Sequence, residues 1–183
     1  MTFDSPPIIG ITTVPATDKV RLLAPLLKIL AKSGIRIGII KATRDRRELD
    51  HIGKDSHSLR ESGANPIVIG SSNRWARILK KSQHKTPKLP ELIDELQRDS
   101  LDIVFVDGFF GSNIPRILLL QSKTDLTPDL KAQKFLAAVH NGPMQLQCSY
   151  PCLSSTTPKE TVDFFSWLLN KDQRTNSSSV SNA

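Results

Sequence analysis

Ile8-Ile9-Gly10-Ile11, then Thr12-Thr13-Val14-Pro15-Ala16-Thr17-Asp18, then Lys19 and the periodic segment Val20 to Lys32, form the stretch that decides the fold. The apolar run reads as a buried strand and the polar run after it as a loop. The segment from Val20 onward reads as a helix. Strand, loop, lysine and helix in that order is the layout of a phosphate-binding loop, in which backbone N–H groups and a helix N-terminus aim partial positive charge at phosphate. The usual pattern is G-x-x-x-x-G-K-S/T. Here Asp18 stands where the glycine before the lysine belongs, and Val20 where the magnesium-binding hydroxyl belongs. The same residues also read as an ordinary strand-to-helix turn with Asp18 or Thr17 as the N-cap.

The helix carries Leu22, Leu23, Leu26, Leu27, Ile29 and Leu30 as a core-facing stripe. Pro25 lies inside it and predicts a kink or an irregular first turn, and Gly34 suits the position just past its end. Ile35 to Lys41 is a second, β-branched strand. Strand, helix and strand in this span predict a βαβ unit, hence a parallel sheet.

Further along, residues 42–54 read as a charged loop, and Asp55 or Ser56 as the cap of a short helix ending near Gly63. Ile67 to Gly70 reads as a third strand. Residues 75–79 are a strand or one helical turn, and period does not choose between them. A helix opens at Pro90, and Leu101 to Asp107 is the clearest buried strand. Ile117 to Leu120 and Phe135 to Val139 follow as strands, the latter as the last. Thr157-Pro158 opens the final helix, with Val162, Phe164, Phe165, Trp167, Leu168 and Leu169 as its apolar side. From Lys171 the chain is too polar to pack, so residues 1–170 are expected to form one domain and residues 171–183 a disordered tail. The fold class predicted is α/β, a three-layer sandwich with a mostly parallel sheet flanked by helices.

The 183 residues are 38% hydrophobic and 23% charged, which suits a soluble globular domain. No run approaches transmembrane length, and no secretory signal is visible. Cys148 and Cys152 match neither a zinc pair of pairs nor a C-x-x-C motif, so they read as reduced thiols of a cytosolic protein, a disulfide being the lesser option. A net charge of +7 fits anionic partners without choosing among them. The basic run 74–88 holds Arg74, Arg77, Lys80, Lys81, Lys85 and Lys88 and no acid. Base stacking would need more aromatic residues than Trp75, so a solvated face or an acidic protein partner is the better reading than nucleic acid. The four histidines show no metal-ligand spacing.

Several blocks together resemble the MobB family, the adapter proteins of molybdopterin-guanine dinucleotide biosynthesis. They are Gly34-Ile35-Arg36, Gly38-Ile39-Ile40-Lys41, Asp50-His51-Ile52-Gly53-Lys54-Asp55-Ser56, Leu59-Arg60-Glu61-Ser62-Gly63-Ala64, Arg74-Trp75-Ala76 and Leu101 to Phe109. The resemblance spans roughly residues 8 to 170, and its most specific part is the D-x-x-G-K-D-S block. It implies a P-loop nucleoside-triphosphatase fold, a dimer in the cytoplasm and guanine-nucleotide binding with very weak GTPase activity at most. It also implies work beside the enzyme that joins GMP to molybdopterin, the molybdenum cofactor guanylyltransferase. Carried over residue by residue, Thr13, Pro15, Ala16, Thr17, Asp18, Lys19 and Val20 would surround the phosphates of GTP, with Lys19 as the loop lysine. Lys54, Asp55 and Ser56 would lie near the phosphates at a helix N-terminus. Asp107 falls where the family has a glutamate and would hold Mg²⁺ directly or through water.

The chain departs from that pattern at Asp18 and Val20, and again after Lys41, where the family has histidines and Ala42, Arg44 and Asp45 stand here. Thr17 and Thr13 are the hydroxyls available to replace the missing groups. A carboxylate beside a γ-phosphate is an electrostatic penalty, so little or no hydrolysis is expected. Ser122-Lys123-Thr124-Asp125 is close to the guanine-reading motif Asn/Thr-Lys-x-Asp, in which the lysine stem stacks on the base and the aspartate accepts from it. Lys123 and Asp125 are therefore candidate base readers, with a plain turn as the alternative. Two rivals to the nucleotide-binding adapter remain. One is a nucleotide-free interaction protein on the same scaffold. The other is a small ATP-dependent kinase or synthetase, against which Val20 argues.

Overall fold

The computed structural model describes residues 6–14, 17–42, 62, 67–70, 72, 75–78, 87–96, 100–142, 144 and 146–179. The chain divides into two compact units. One comprises Met1–Ala42 with Leu89–Ala183, the other Thr43–Lys88.

The larger unit is built on a six-stranded sheet, every pairing of which is parallel. Its strands are β1 (Ile8–Thr13), β2 (Ile37–Lys41), β5 (Ile103–Asp107), β6 (Arg116–Leu120), β7 (Ala137–His140) and β8 (Cys152–Ser154). Across the sheet they stand in the order β2-β5-β1-β6-β7-β8. Continuous apolar runs are what a parallel sheet covered on both faces requires, and Ile103, Val104, Phe105 and Val106 are all buried. Successive side chains alternate between faces. Ile103 and Phe105 join Ile9, Ile11, Ile117 and Leu119 on one face, against Leu22, Leu26 and Leu30 of α1 (Lys19–Lys32) and Phe165 of the last helix. The Phe165 ring meets Phe105 edge-on, with centroids 5.9 Å apart.

The opposite face is covered in two patches. Val104, Val106 and Ile40 pack with Leu89, Leu92, Ile93 and Leu96 of α2 (Leu89–Leu96). Leu118, Leu120 and Ala138 pack with Leu126, Tyr150 and Leu130 of the short α3 (Pro128–Ala132). The sandwich expected from the sequence is thus present, with α1 and α4 (Pro158–Ser179) on one side and α2 and α3 on the other.

The α1 helix starts at Lys19 and runs unbroken past Pro25. It closes on Gly34, at φ +83, with Gly34 N–H donating to Ala31 O and Ile35 N–H to Leu30 O, a Schellman motif. Just beyond, Arg36 makes two guanidinium bonds to Asp102, at 3.0 and 2.8 Å, and tethers the start of β2 to the start of β5.

Three features go beyond the sequence reading. β8 follows β7 and was not anticipated; it is short and carries only one buried residue, Leu153. The last helix does not stop at Lys171, where the polar tail was expected to begin; its backbone is helical to Ser179, since a nucleated helix gains a hydrogen bond with each residue added. In the smaller unit, β3 (Ile67–Gly70) is no member of the parallel sheet. It pairs antiparallel with β4 (Trp75–Ile78), which resolves the ambiguity at 75–79 in favour of a strand. The loop 42–54 lies outside the described residues beyond Ala42, as do the helix start at Asp55 or Ser56 and most of the basic run. Among the described residues, no helix is long and apolar enough to cross a membrane.

Candidate phosphate-binding site

From β1 the chain goes to β2 on one side of the sheet, while β6, β7 and β8 extend it on the other. The order therefore reverses around β1. In open α/β sheets a crevice opens at such a point, outside the carboxyl ends of the strands, and ligands bind there. Lys19 and Asp107 meet at this place. Lys19 is the first residue of α1, and Asp107 the last of β5, level with Ile11 and Lys41 on its two neighbouring strands. The Lys19 ammonium lies 2.6 Å from Asp107 Oδ1 and 2.8 Å from Oδ2, across 88 residues of sequence. Lys19 is 36% exposed and Asp107 14%, so a ligand can reach the cation while the carboxylate is largely sheltered.

Asp18 occupies the helix end itself. Its carboxylate accepts from Arg21 N–H at 3.0 Å, and its own N–H donates to Gln121 Oε1 at 3.3 Å. The position at which a helix N-terminus would receive a phosphate oxygen is thus filled by the chain's own carboxylate. Beside it, the Thr17 hydroxyl is buried and makes no hydrogen bond with the described residues. Thr13 ends β1, half-buried. Val20 is 73% exposed, an apolar side chain in the first turn of the helix. Pro15, Ala16, Lys54, Asp55 and Ser56 lie outside the described residues.

The loop after Asp107 is tightly constrained. Ala42 N–H donates to Asp107 O at 2.9 Å. Gly108 has φ +108, and a Cβ there would stand 2.7 Å from the Ala42 Cβ, so both conformation and space demand glycine. Phe109 adopts φ 51, uncommon for a bulky residue. Its carbonyl is held by the backbone and the hydroxyl of Ser112 and by Arg116, the last at 2.7 Å. Arg116 also reaches Gly108 O and Ile11 O, both at 3.3 Å, and its stem lies over Gly10, where a Cβ would come within 2.8 Å of it. Burial works against the charge of this guanidinium and lowers its pKa. Phe110, 65% exposed, stands over the same guanidinium at 5.3 Å. One arginine therefore joins β1, β6 and the loop that carries Asp107. Neither Arg116 nor Gln121 was singled out from sequence; their only signal was their place at the two ends of an apolar strand.

Lys123 and Asp125 form a 3-10 turn immediately after β6. Asp125 Oδ2 accepts from Gln121 N–H at 2.7 Å and Ser122 N–H at 2.8 Å, and Oδ1 accepts from the Ser122 hydroxyl at 3.0 Å. Burial opposes the charged form, but the bonds from Ser122 and Gln121 together outweigh it and hold the carboxyl below the usual range. Most of this carboxylate's acceptor capacity serves its own turn. Lys123 is exposed. The site thus brings together Thr17, Asp18, Lys19, Asp107 and Gln121, while Arg116 braces the loop that follows Asp107.

The model of the family described as molybdopterin guanine dinucleotide synthesis protein B matches residues 8–141. The molybdopterin-guanine dinucleotide biosynthesis adapter protein of Escherichia coli is 31% identical over 123 residues, covering 67% of this chain and 70% of its own. That of Haemophilus influenzae is 32% identical over 144 residues, 76% of this chain and 78% of its own. A crystal structure of molybdopterin-guanine biosynthesis protein B superposes with a TM-score of 0.64 at 21% identity, over 89% of this chain and 99% of that one. Bacillus subtilis MobB does so at 0.59 and 18% identity, over 87% and 96%. At those identities the structural likeness speaks to fold, and it agrees with the P-loop-like sandwich.

Proposed function

Because this chain belongs to the MobB family, molybdopterin guanine dinucleotide synthesis protein B, we propose that it is a cytoplasmic adapter in molybdopterin guanine dinucleotide biosynthesis, with a guanine-nucleotide site at the carboxyl edge of the sheet around Lys19. The observation that carries the reading is the convergence of Lys19 and Asp107 at the point where the strand order reverses. A phosphate arriving there competes for the ammonium. Asp107 would hold Mg²⁺, directly or through water, beside that phosphate. Thr17, whose hydroxyl makes no hydrogen bond with the described residues, is the group nearest in sequence to replace the missing one at Val20. Hydrolysis is little or none, because Val20 offers the metal no oxygen and Asp18 sets a carboxylate where the transferred phosphoryl would build up charge. Its protein partner is a guanylyltransferase or another molybdenum-cofactor protein, and the adapter acts as a homodimer.

The test is isothermal titration of a non-hydrolysable GTP analogue with Mg²⁺, run beside the ATP analogue and a Lys19→Ala variant. Selective binding of the guanine nucleotide, abolished in the variant, is expected. Absence of binding to the folded protein overturns the nucleotide site. The second reading, a nucleotide-free adapter, is favoured by one specific observation: the Asp18 carboxylate already occupies the helix N-terminus.

A further inference from the structure

Cys148 and Cys152 play no part in the site at Lys19, yet the fold brings them together. The two sulfurs are 3.0 Å apart, and both thiols are free and half-buried. The turn between them wraps the carbonyl of Tyr150, which accepts from Cys148 Sγ at 3.4 Å and from Cys152 Sγ at 3.7 Å. Tyr150, the sole tyrosine of the chain, is buried, packs edge-on against Phe135 with centroids 5.5 Å apart, and donates from its hydroxyl to Leu130 O. The pair therefore sits on a packed support of Leu118, Leu120 and Leu126 rather than on a loose loop. Packing of this kind holds the sulfurs within reach of one another.

From this geometry we propose that Cys148 and Cys152 are a reversible two-electron redox site, closing to an intramolecular disulfide on exposure to hydrogen peroxide. Transient disulfides of this kind are the form that redox sensing takes in a reducing compartment. Burial, with the hydrogen bond to Cys148 and the charge of that neighbour, pushes the Cys152 thiol up to about 12; Cys148 is assigned the attacking sulfur and Cys152 the resolving one. The Cys148 sulfur attacks one peroxide oxygen. The O–O bond breaks, giving Cys148 sulfenic acid and a hydroxide that leaves as water after taking up a proton. The Cys152 sulfur then attacks the sulfenic sulfur. The S–O bond breaks, and the hydroxyl departs as a second water with the Cys152 proton. The two thiols together lose two electrons to the peroxide, and a dithiol reductant returns them.

The experiment uses the full chain, reduced, freed of reductant and treated with hydrogen peroxide at a small molar excess. It is then alkylated with iodoacetamide under denaturing conditions and weighed intact. The expected product is monomeric, lighter by two hydrogen atoms and unalkylated, and dithiothreitol restores two alkylatable thiols. In Cys148→Ser and Cys152→Ser variants the remaining cysteine should give no intramolecular bridge, and a sulfenic acid trapped by dimedone should appear at Cys148 in Cys152→Ser. Circular dichroism of all forms reports that the fold is intact. Two alkylated thiols after peroxide, independent overoxidation of each sulfur, or a disulfide-linked pair of chains would each overturn the proposal.

Discussion

Replacing Asp18 with glycine separates a pocket blocked by its own carboxylate from a pocket that has been lost altogether. In the native chain that carboxylate caps α1 and presents one negative charge at the end of the helix where phosphate would approach. Two unit charges at about 4 Å repel by about 1 kcal/mol in bulk water and about 4 kcal/mol at the effective dielectric near a protein surface. Asp18 is exposed, so the lower part of that range applies, and since about 1.4 kcal/mol is tenfold in affinity, Asp18→Gly should tighten GTP-analogue binding by roughly tenfold. The loss of the cap costs only a few tenths of a kcal/mol when glycine replaces it, too little to unfold the chain. Asp18→Asn is the companion variant, because it keeps an acceptor for Arg21 N–H while removing the charge. Titration calorimetry at fixed Mg²⁺ on the native chain and both variants reads the effect directly. A gain in both variants identifies charge as the obstacle, and a gain in glycine alone identifies the side-chain bulk. Affinities unchanged within twofold in two folded variants would refute the electrostatic argument. Adding Val20→Thr to Asp18→Gly then asks whether the metal hydroxyl restores a Mg²⁺ dependence.

Three further outcomes follow from the geometry. Arg116→Leu strips charged hydrogen bonds from the carbonyls of Ile11, Gly108 and Phe109; it should lower stability by about 2–3 kcal/mol, read as a lower urea midpoint, and a midpoint equal to that of the native chain would contradict the bracing role. Gly108→Ala must place a side chain at φ +108 and 2.7 Å from the Ala42 Cβ, a strain of order 1–3 kcal/mol, so its thermal midpoint should fall while Gly111→Ala, with open space around it, serves as the control. Asp125, held below the usual carboxylate range against the pull of burial by its bonds from Ser122 and Gln121, has a folded pKa below its unfolded value. The stability it contributes is therefore full above the unfolded value of about 3.9 and is lost as pH falls through the lower folded one. Asp125→Asn should flatten the acid limb of a stability profile measured between neutrality and that range, and an identical limb would show that the carboxylate is not the titrating group.

The contrast between what could and could not be read beforehand follows from the range of the interactions involved. Local pattern was enough for α1, whose leucine stripe buries as expected at Leu22, Leu26 and Leu30 and whose Gly34 stop is a Schellman turn. It was enough for β5 and β6, because a strand covered on both faces must be apolar without interruption. Pattern also found Lys19 and Asp107 as separate candidates, and the family resemblance was recognisable from short blocks spread along the chain. Strand β8 escaped because Cys152-Leu153-Ser154 carries a single buried residue and becomes a strand only by pairing with β7. The partner of β3 escaped because a run of four residues says nothing of which neighbour will satisfy its backbone.

Side-chain type and periods of a few residues were enough for most of the elements of the larger unit, for its parallel sheet and for the degenerate chemistry of the loop. Only the tertiary structure decided where the charges meet. The contact of Lys19 with Asp107, the hold of Gln121 on Asp18, the span of Arg116 beneath the loop and the 3.0 Å approach of the two sulfurs all depend on side-chain placement, and the first three on strand order. Strand order is set by the packing of the whole sheet against its helices, a sum over many distant contacts that no single stretch of the chain encodes.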